Sequence, residues 1–353
     1  MFEDVLRVWD GEEAVVRFDQ PTGAWMIVAV HDTTLGPGMG GTRMKAYATP
    51  HDALADALRL SGAVTLKQAA ADLPYGGGKA VVAVPEVPAK GSEERRRLLL
   101  RYASMVDSLH GTYVTAADMN TGQADMDVIG ERTSHVLGRS PERGGAGDPA
   151  PGTARGVFHG IAATAGRVFG SDDLSGRTVL VQGVGSVGGR LVELLHEAGA
   201  ALVLADVDPV RAKEAAERVD AATVDAEAVI GTECDVYAPC ATGGVLSAAT
   251  IPRLRCRAVA GAANNQLADP HDAELLAERG ILYAPDFVIN AGGVLHLAGY
   301  ETLRWTEEQM AVRLAGIGDT LLEVYDAADR EAITTDAAAE RLARSRLEAA
   351  RPT

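Results

Sequence analysis

The stretch from Thr178 to Asp206 constrains the fold more than any other. A short β-prone run, Thr178–Val181, leads into Gly183-Val184-Gly185-Ser186-Val187-Gly188, and an amphipathic segment carrying Leu191, Leu194, Leu195 and Ala198 follows. A strand, a G-x-G-x-x-G turn and a helix in that order open a parallel βαβ unit. Gly183 permits the tight turn, Gly185 lets backbone approach a pyrophosphate, and Gly188 lets helix pack on strand. The N–H groups of Ser186 and Val187 then face an anion at the helix start. Asp206 ends the next apolar run, 23 residues after Gly183, where a carboxylate can accept hydrogen bonds from a ribose diol. The pattern therefore predicts a dinucleotide site, and the charge on Asp206 opposes a 2′-phosphate, favouring NAD over NADP. Arg211 is read as a solvated residue at a helix start.

The segments around this unit extend it. Strand-like runs Ala201–Ala205, Val236–Ala238, Ala258–Ala260 and Ile281–Tyr283 alternate with helical or loop stretches, as in a parallel α/β sheet. The glycine- and proline-rich run Gly144–Gly152 reads as the linker between domains. Before it, Ala14–Phe18 and Trp25–Val30 form a predicted hairpin around Asp19–Gly23, and Leu35–Arg43 reads as a glycine-dense loop. A helix capped by Thr49, with Pro50 first and Asp52 three residues after the cap, runs to about Lys67. The glycines Gly76–Gly78 are expected to end it, and Ala80–Val84 to leave as a strand. From Thr306 onward the chain reads as charged, amphipathic helix.

Composition excludes several classes. The 353 residues carry 33 Lys plus Arg against 49 Asp plus Glu, a formal charge of −16 that repels nucleic acid and anionic membranes. No apolar run is long enough to cross a bilayer and the first residues lack signal-peptide character, so a cytoplasmic protein is expected. Three cysteines without a CxxC spacing, and histidines without helical pairing, predict neither a disulfide framework nor a metal centre.

Leu73-Pro74-Tyr75-Gly76-Gly77-Gly78-Lys79 poses a separate question, because three glycines are entropically costly. A phosphate-binding P-loop does not fit, since Ala80 follows the lysine and a helix precedes it. A surface turn and a stripped-down approach to a reactive amine remain. Lys67, at the end of an apolar helical stretch, is a snorkelling residue unless it shares a cavity with Lys79, where like charge and burial would lower one amine toward neutrality. Asp118, after Tyr113-Val114, reads alone as a helix cap. Asp125 and Asp127 also read as helix-start residues rather than paired catalytic acids, and His296 as structural.

Taken together, Leu35–Arg43, Lys67 with Leu73–Lys79, Thr115–Asp118, Gly183–Gly188, Cys234–Cys240, Ala260–Asn265 and Asn290–Val294 make the chain resemble the glutamate/leucine/phenylalanine/valine dehydrogenase family nearly end to end. Trp9–Glu12, Leu295–Gly299 and Ile317–Leu321 are most similar to its actinobacterial phenylalanine dehydrogenase type. The resemblance implies an α/β enzyme with an N-terminal mixed-sheet substrate domain, residues 1–146, and a Rossmann-like NAD-binding domain, 147–325, with a cleft between them. Residues 326–353 would return to the first domain. It implies reversible oxidative deamination of an apolar L-amino acid to a 2-oxo acid and ammonia, in a homo-oligomer. Lys67 would hold the substrate carboxylate with Asn264 and the main chain of Gly40 and Gly41. Lys79 would activate water and Asp118 would exchange protons with the amino group. Thr153, Asn264 and Asn290 would lie near the cofactor, with Ala238, Pro239 and Cys240 along it.

Met39, Val64, Val294 and Leu297 are the expected pocket wall, apolar throughout and hostile to a glutamate side chain. Phenylalanine is the leading substrate. Leucine or valine is the alternative, because Val294 crowds a ring. A non-catalytic NAD sensor needs neither lysine nor Asp118, and an NAD-dependent hydroxy-acid dehydrogenase would usually want a histidine base.

Overall fold

A computed structural model describes residues 2–351. Two compact units divide the chain, and neither is continuous in sequence. The first takes the chain up to Asp148, then Leu297–Arg304 and the residues from Ala343 on; the second takes Pro149–His296 and Trp305–Leu342.

In the first unit, β1 (Glu13–Asp19) and β2 (Ala24–Asp32) form an antiparallel hairpin, with Glu13 opposite Val30 and Asp19 opposite Ala24. The remaining strands are β3 (Gly38–Lys45), β4 (Gly76–Ala83) and β5 (Tyr113–Ala117). They join the hairpin in the order β1-β2-β4-β3-β5; β4 runs antiparallel to β2, and β3 parallel to both β4 and β5. The sheet's central strands β2 and β4 are buried on both faces. Along β2, Ile27 and Ala29 pack on helix α2 (Pro50–Ala70) through Leu54, Ala57 and Leu58, α1 being the short Phe2–Val8 helix. The alternate residues Met26, Val28 and Val30 pack with Leu98, Leu99 and Tyr102 of α3 (Glu93–Asp107) and Met126 of α4 (Gln123–Ile129). The two-residue period of a strand thus feeds two cores at once. Each fully buried leucine contributes ~1.5–3 kcal/mol to that packing.

Helix α2 begins as its sequence specifies. Thr49 caps it, the Thr49 Oγ1 accepting from Asp52 N at 3.2 Å and the Asp52 carboxylate accepting from Thr49 N at 3.0 Å. Its end does not follow the expectation. The helix continues to Ala70, and the three glycines are not its terminator but the first residues of β4. The expected loop Leu35–Arg43 is likewise strand from Gly38.

Between α3 and α4 lies a buried ion pair. Arg95, 2% exposed, donates to both oxygens of Asp125 at 2.7 and 2.9 Å, and the same carboxylate accepts from Gly122 N. Asp127 accepts from Ser140 N at 3.0 Å. These acids fasten helix and loop.

The second unit opens with α5 (Ala150–Phe169), so the glycine-rich connection ends at Pro149 and Gly152 is helical. Its strands are β6 (Thr178–Gln182), β7 (Ala201–Ala205), β8 (Ala222–Thr223), β9 (Val236–Pro239), β10 (Ala258–Val259) and β11 (Leu282–Tyr283). All run parallel in the order β11-β10-β9-β6-β7-β8. Counted from β6, that order is 3-2-1-4-5-6, the doubly wound Rossmann arrangement, whose order reverses between β6 and β9. The connecting helices are α6 (Ser186–Glu197), α7 (Pro209–Val219), α8 (Asp272–Glu278), α9 (Asp286–Ile289) and α10 (Gly292–Leu297). The expected C-terminal helices are α11 (Glu307–Glu331), capped by Thr306, and α12 (Thr335–Ala350). Near the end of α12, Arg346 donates to the carbonyls of Ala69 and Ala70 at 3.2 and 2.7 Å, closing the C-terminus of α2. No described helix is long and apolar enough to cross a membrane.

Candidate active site

The glycine run acquires a physical reason from its place in the sheet. A Cβ on Gly77 would sit 1.9 Å from Thr65 Oγ1 and 2.5 Å from Thr65 N of α2, and one on Gly78 would meet the Tyr113 ring at 2.8 Å. Gly40 faces the same strand, where its Cβ would lie 1.7 Å from Gly78 O. The space the glycines leave is therefore filled by this chain's own backbone and side chains. It is not left open for a ligand, as the stripped-down reading had it. Removing side chains lets β4 press against α2 on one side and β3 on the other, and this fixes the strand that presents Lys79.

Lys79 is 7% exposed, and its Nζ lies 2.6 Å from Asp118 Oδ2. Asp118 leaves the end of β5 in a turn closed by Thr121, whose Oγ1 accepts from Asp118 N at 2.9 Å and donates to Thr42 O at 2.7 Å. Gly41 stands beside it: a Cβ there would be 2.7 Å from Asp118 Cβ. Beneath these residues Thr42, Tyr102 and Thr115 share a buried hydroxyl cluster with separations of 2.5 to 3.1 Å, and Tyr113 OH donates to Gly40 O at 2.6 Å.

Arg43 completes the cluster, and the motif reading had given it no role. Its Nε is 3.3 Å from Asp118 Oδ2 and its Nη1 is 2.9 Å from Asp56 Oδ2, which also accepts from Tyr47 OH at 2.6 Å. Burial draws the Lys79 amine below the usual lysine range. The nearby Asp118 opposes that shift, and the Arg43 charge adds to it. Burial alone would raise the Asp118 carboxyl, but the Lys79 ammonium, its hydrogen bond and Arg43 together hold it low. The outcome is a carboxylate held ionised beside an amine that releases its proton more readily than an exposed lysine, an arrangement with the chemistry to exchange protons. The positive neighbour identified at Lys79 is thus Arg43. Lys67 lies in the last turn of α2, partly exposed. Of the expected pocket wall, Met39 and Leu297 are buried and belong to the first unit with the partly exposed Val64, while Val294 is a partly exposed residue of the second.

In the second unit the first and last glycines of the G-x-G-x-x-G serve the turn and the packing. Gly183 has φ +93°, and a Cβ there would meet Ala241 at 2.7 Å. Gly188 packs so closely that its Cβ would be 1.9 Å from Gly183 O. Gly185 is exposed, with nothing within 4 Å of the Cβ position, and α6 starts immediately after it at Ser186 and Val187. This is a cradle that a side chain would fill and a diphosphate fits.

Asp206 has a local duty as well: its Oδ2 accepts from Val184 N at 2.9 Å and its Oδ1 from Asp208 N at 3.0 Å, bracing the glycine turn from the next strand. Arg211 Nη1 lies 3.5 Å from Asp206 Oδ1. Asn290 donates through Nδ2 to Asn264 Oδ1 at 2.9 Å and to Ala262 O at 3.2 Å, while its buried Oδ1 has no hydrogen-bond partner. A buried carbonyl oxygen left unpaired is costly, and a carboxamide N–H of a nicotinamide is the kind of donor it lacks. Thr153 Oγ1, in the first turn of α5, donates to Pro149 O just before the helix; Ala238 and Pro239 end β9, and the partly exposed Cys240 follows them. The residues present thus fit a nicotinamide dinucleotide. Among the described residues no group of His, Cys, Asp and Glu is placed to hold a metal ion.

Comparison with known proteins agrees with this geometry. Residues 18–135 match the family described as Glu/Leu/Phe/Val dehydrogenase, dimerisation domain, and residues 206–352 match Glutamate/Leucine/Phenylalanine/Valine dehydrogenase. A leucine dehydrogenase of Geobacillus stearothermophilus is 42% identical over 346 residues, covering 98% of this chain and 93% of the relative. A valine dehydrogenase of Streptomyces virginiae is 44% identical over 343 residues, covering 96% and 94%. The crystal structure of L-tryptophan dehydrogenase from Nostoc punctiforme superposes with a TM-score of 0.83 at 39% identity, covering 99% of both chains. With both halves matched and full-length relatives above 40% identity, the chain belongs to the glutamate/leucine/phenylalanine/valine dehydrogenase family and is an amino-acid dehydrogenase.

Proposed function

We propose that this protein catalyses the reversible NAD-dependent oxidative deamination of a branched-chain aliphatic L-amino acid, leucine or valine, to the 2-oxo acid and ammonia. The observation that carries the chemistry is the Lys79–Asp118 contact at 2.6 Å, an ionised acid against a buried amine. The aliphatic substrate replaces the phenylalanine expected from local motifs. The relatives at 42 and 44% identity are leucine and valine dehydrogenases, and Val294 carries two methyls more than the alanine that would leave room for a ring.

Bound NAD supplies the hydride acceptor. In our reading Lys67 of the first unit pairs with the substrate carboxylate in a charge-assisted contact, aided by the main chain of Gly40 and Gly41 in the same unit and by Asn264 of the second. Asp118 takes a proton from the substrate ammonium, which frees the nitrogen lone pair needed for loss of hydride from the α-carbon. Lys79 then takes a proton from the water that adds to the resulting iminium carbon, and Asp118 returns its proton to the nitrogen; the freed Asp118 carboxylate takes the proton of the new hydroxyl as the C–N bond breaks, so that ammonia leaves with the bonding pair and the 2-oxo acid remains. The second unit contributes Gly183–Gly188 to the diphosphate, Asp206 to the adenine-side ribose, and Thr153, Ala238–Cys240, Asn264 and Asn290 along the nicotinamide half. Met39, Val64, Val294 and Leu297 offer the substrate side chain no polar partner, which disfavours glutamate. We further propose a cytoplasmic homo-oligomer.

The test is a panel of L-amino acids and 2-hydroxy acids assayed with NAD and with NADP by nicotinamide absorbance. Leucine and valine with NAD are expected to give the highest kcat/KM, with glutamate and the hydroxy acids near background. Preference for glutamate overturns the pocket assignment, and absence of all turnover with intact NAD binding leaves the sensor reading in its place.

A further inference from the structure

Cys234 and Cys256 stand outside the proposed chemistry, yet the sheet brings them together. Glu233 pairs with Arg255 in a parallel bridge, and Val236 and Tyr237 pair with Ala258 and Val259 in β9 and β10. All three pairs share one sequence offset, which puts Cys234 directly opposite Cys256. Cys234 N donates to Arg255 O at 3.1 Å and Arg257 N to Asp235 O at 3.0 Å, so main-chain bonds hold the register on both sides of the pair. Residues in register on neighbouring parallel strands point to the same face, about 4.8 Å apart. That spacing falls within the ~4.4–6.8 Å Cα separation that a disulfide spans. Both thiols are free and belong to one apolar cluster, Cys234 buried and Cys256 partly exposed at its edge.

We propose that Cys234 and Cys256 form a site of reversible thiol oxidation, closing an intrachain disulfide across β9 and β10 when the protein meets a peroxide.

The two thiols hydrogen-bond to each other. That bond, and then the Arg279 guanidinium, outweigh burial and draw the Cys256 thiol below its usual range. The same bond together with burial pushes Cys234 far up. Cys256, the thiol partly exposed at the edge of the cluster, is the one a peroxide reaches and is the attacking sulfur. Its thiolate attacks one peroxide oxygen, the O–O bond breaks, and the departing hydroxide takes up a proton to leave as water, giving a sulfenic acid. The Cys234 sulfur then attacks the Cys256 sulfur, the S–O bond breaks, and hydroxide leaves with the Cys234 proton as a second water. Two thiols have lost two electrons to one peroxide, which is reduced to two waters. Cys240 takes no part: burial pushes its thiol up to about 12, and it lies at the opposite end of β9.

The closed loop holds residues 235–255, among them Pro239, Cys240 and the Ala241 that packs beneath Gly183. Cross-linking such a loop narrows the unfolded ensemble, so the oxidised protein should melt at a higher temperature than the reduced one.

The experiment treats the full-length protein with hydrogen peroxide, caps remaining thiols and measures intact mass, a non-reducing peptide map and the melting temperature. The expected result is loss of two hydrogens per chain, one cross-linked peptide containing Cys234 and Cys256, an alkylated Cys240, a raised melting temperature, and full reversal by dithiothreitol. Cys240→Ser should behave as the parent does, and Cys256→Ser should form no intrachain link. Cross-linking through Cys240 or between chains overturns the proposal. So does addition of oxygen to the cysteines without a cross-link, unreactive thiols, or a cross-link that does not raise the melting temperature.

Discussion

Lys79 Nζ and Asp118 Oδ2 lie 2.6 Å apart, and one of the two groups is held by β4 and the other by the turn after β5. Neither strand neighbours the other directly, because β3 runs between them with glycine at positions 40 and 41. The pair depends on that narrow strand. Lys79→Ala is expected to leave NAD affinity close to the parent value while lowering turnover by ~10²–10⁴-fold, the range for loss of a general base. Steady-state rates beside a fluorescence titration of NADH check both halves, and turnover close to the parent would remove Lys79 from the chemistry.

Arg43 couples charge to proton affinity. Its positive charge lowers the Lys79 amine and helps hold the Asp118 carboxyl down. A base acts in its deprotonated form, so the deamination rate should rise with pH and level off below the ordinary lysine range. Removing the charge in Arg43→Gln lets both groups move up. The rise in kcat with pH should shift to higher pH, whereas a purely structural loss would scale the whole profile down without moving it.

Gly77→Ala tests the packing of β4. The added methyl would meet Thr65 N and Thr65 Oγ1, and the backbone nitrogen cannot rotate aside. Overpacking of this kind costs ~1–3 kcal/mol or more. Urea unfolding of the variant should show the loss, and Thr65→Ala in the same chain should restore only the part due to the hydroxyl. Full stability in Gly77→Ala would mean that strand and helix separate freely there.

Asp206 combines a charge with a brace, and two substitutions separate them. Asp206→Asn keeps an oxygen for Val184 N–H and removes the charge, so the ratio of NADP to NAD efficiency should rise while the turn holds. In Asp206→Ala the brace to Val184 N is lost too, and affinity for both cofactors should fall further. Equal cofactor ratios in the parent and in Asp206→Asn would show that another group discriminates the ribose.

Val294→Ala should raise kcat/KM for phenylalanine relative to leucine by ~10-fold, since a change of one or two methyls alters discrimination by ~1–3 kcal/mol. Competition assays at saturating NAD read the ratio directly. A fall in the ratio would place Val294 away from the substrate side chain.

What could be read in the sequence follows from the range of the forces involved. The Thr49–Asp52 cap, the Asp19–Gly23 turn and the turn before α6 are local, set by side chains within a few residues of the backbone they satisfy. β3 and the start of β4 were hidden because glycines have no strand preference of their own. They are strand because Gly40 meets Gly78 and Gly77 meets Thr65, contacts made only once the sheet exists. The two-residue strand β8 was too short to show a period. Lys79 and Asp118 were legible from motif context, but Arg43, Asp56 and Tyr47 were not. Their cluster forms only when α2 brings Asp56 back beside β3.

The interrupted first unit has a consequence during synthesis. Its sheet and the helices α1 to α4 are complete once residue 148 has emerged, yet Leu297–Arg304 and the residues from Ala343 on are still to come. At ~5–20 residues per second, the ribosome needs on the order of ten seconds or more to deliver them. During that interval Ala69 and Ala70 present their carbonyls without Arg346. A nascent chain stalled before residue 343 should therefore carry a protease-sensitive end on α2, and that sensitivity should vanish when the last helix is released.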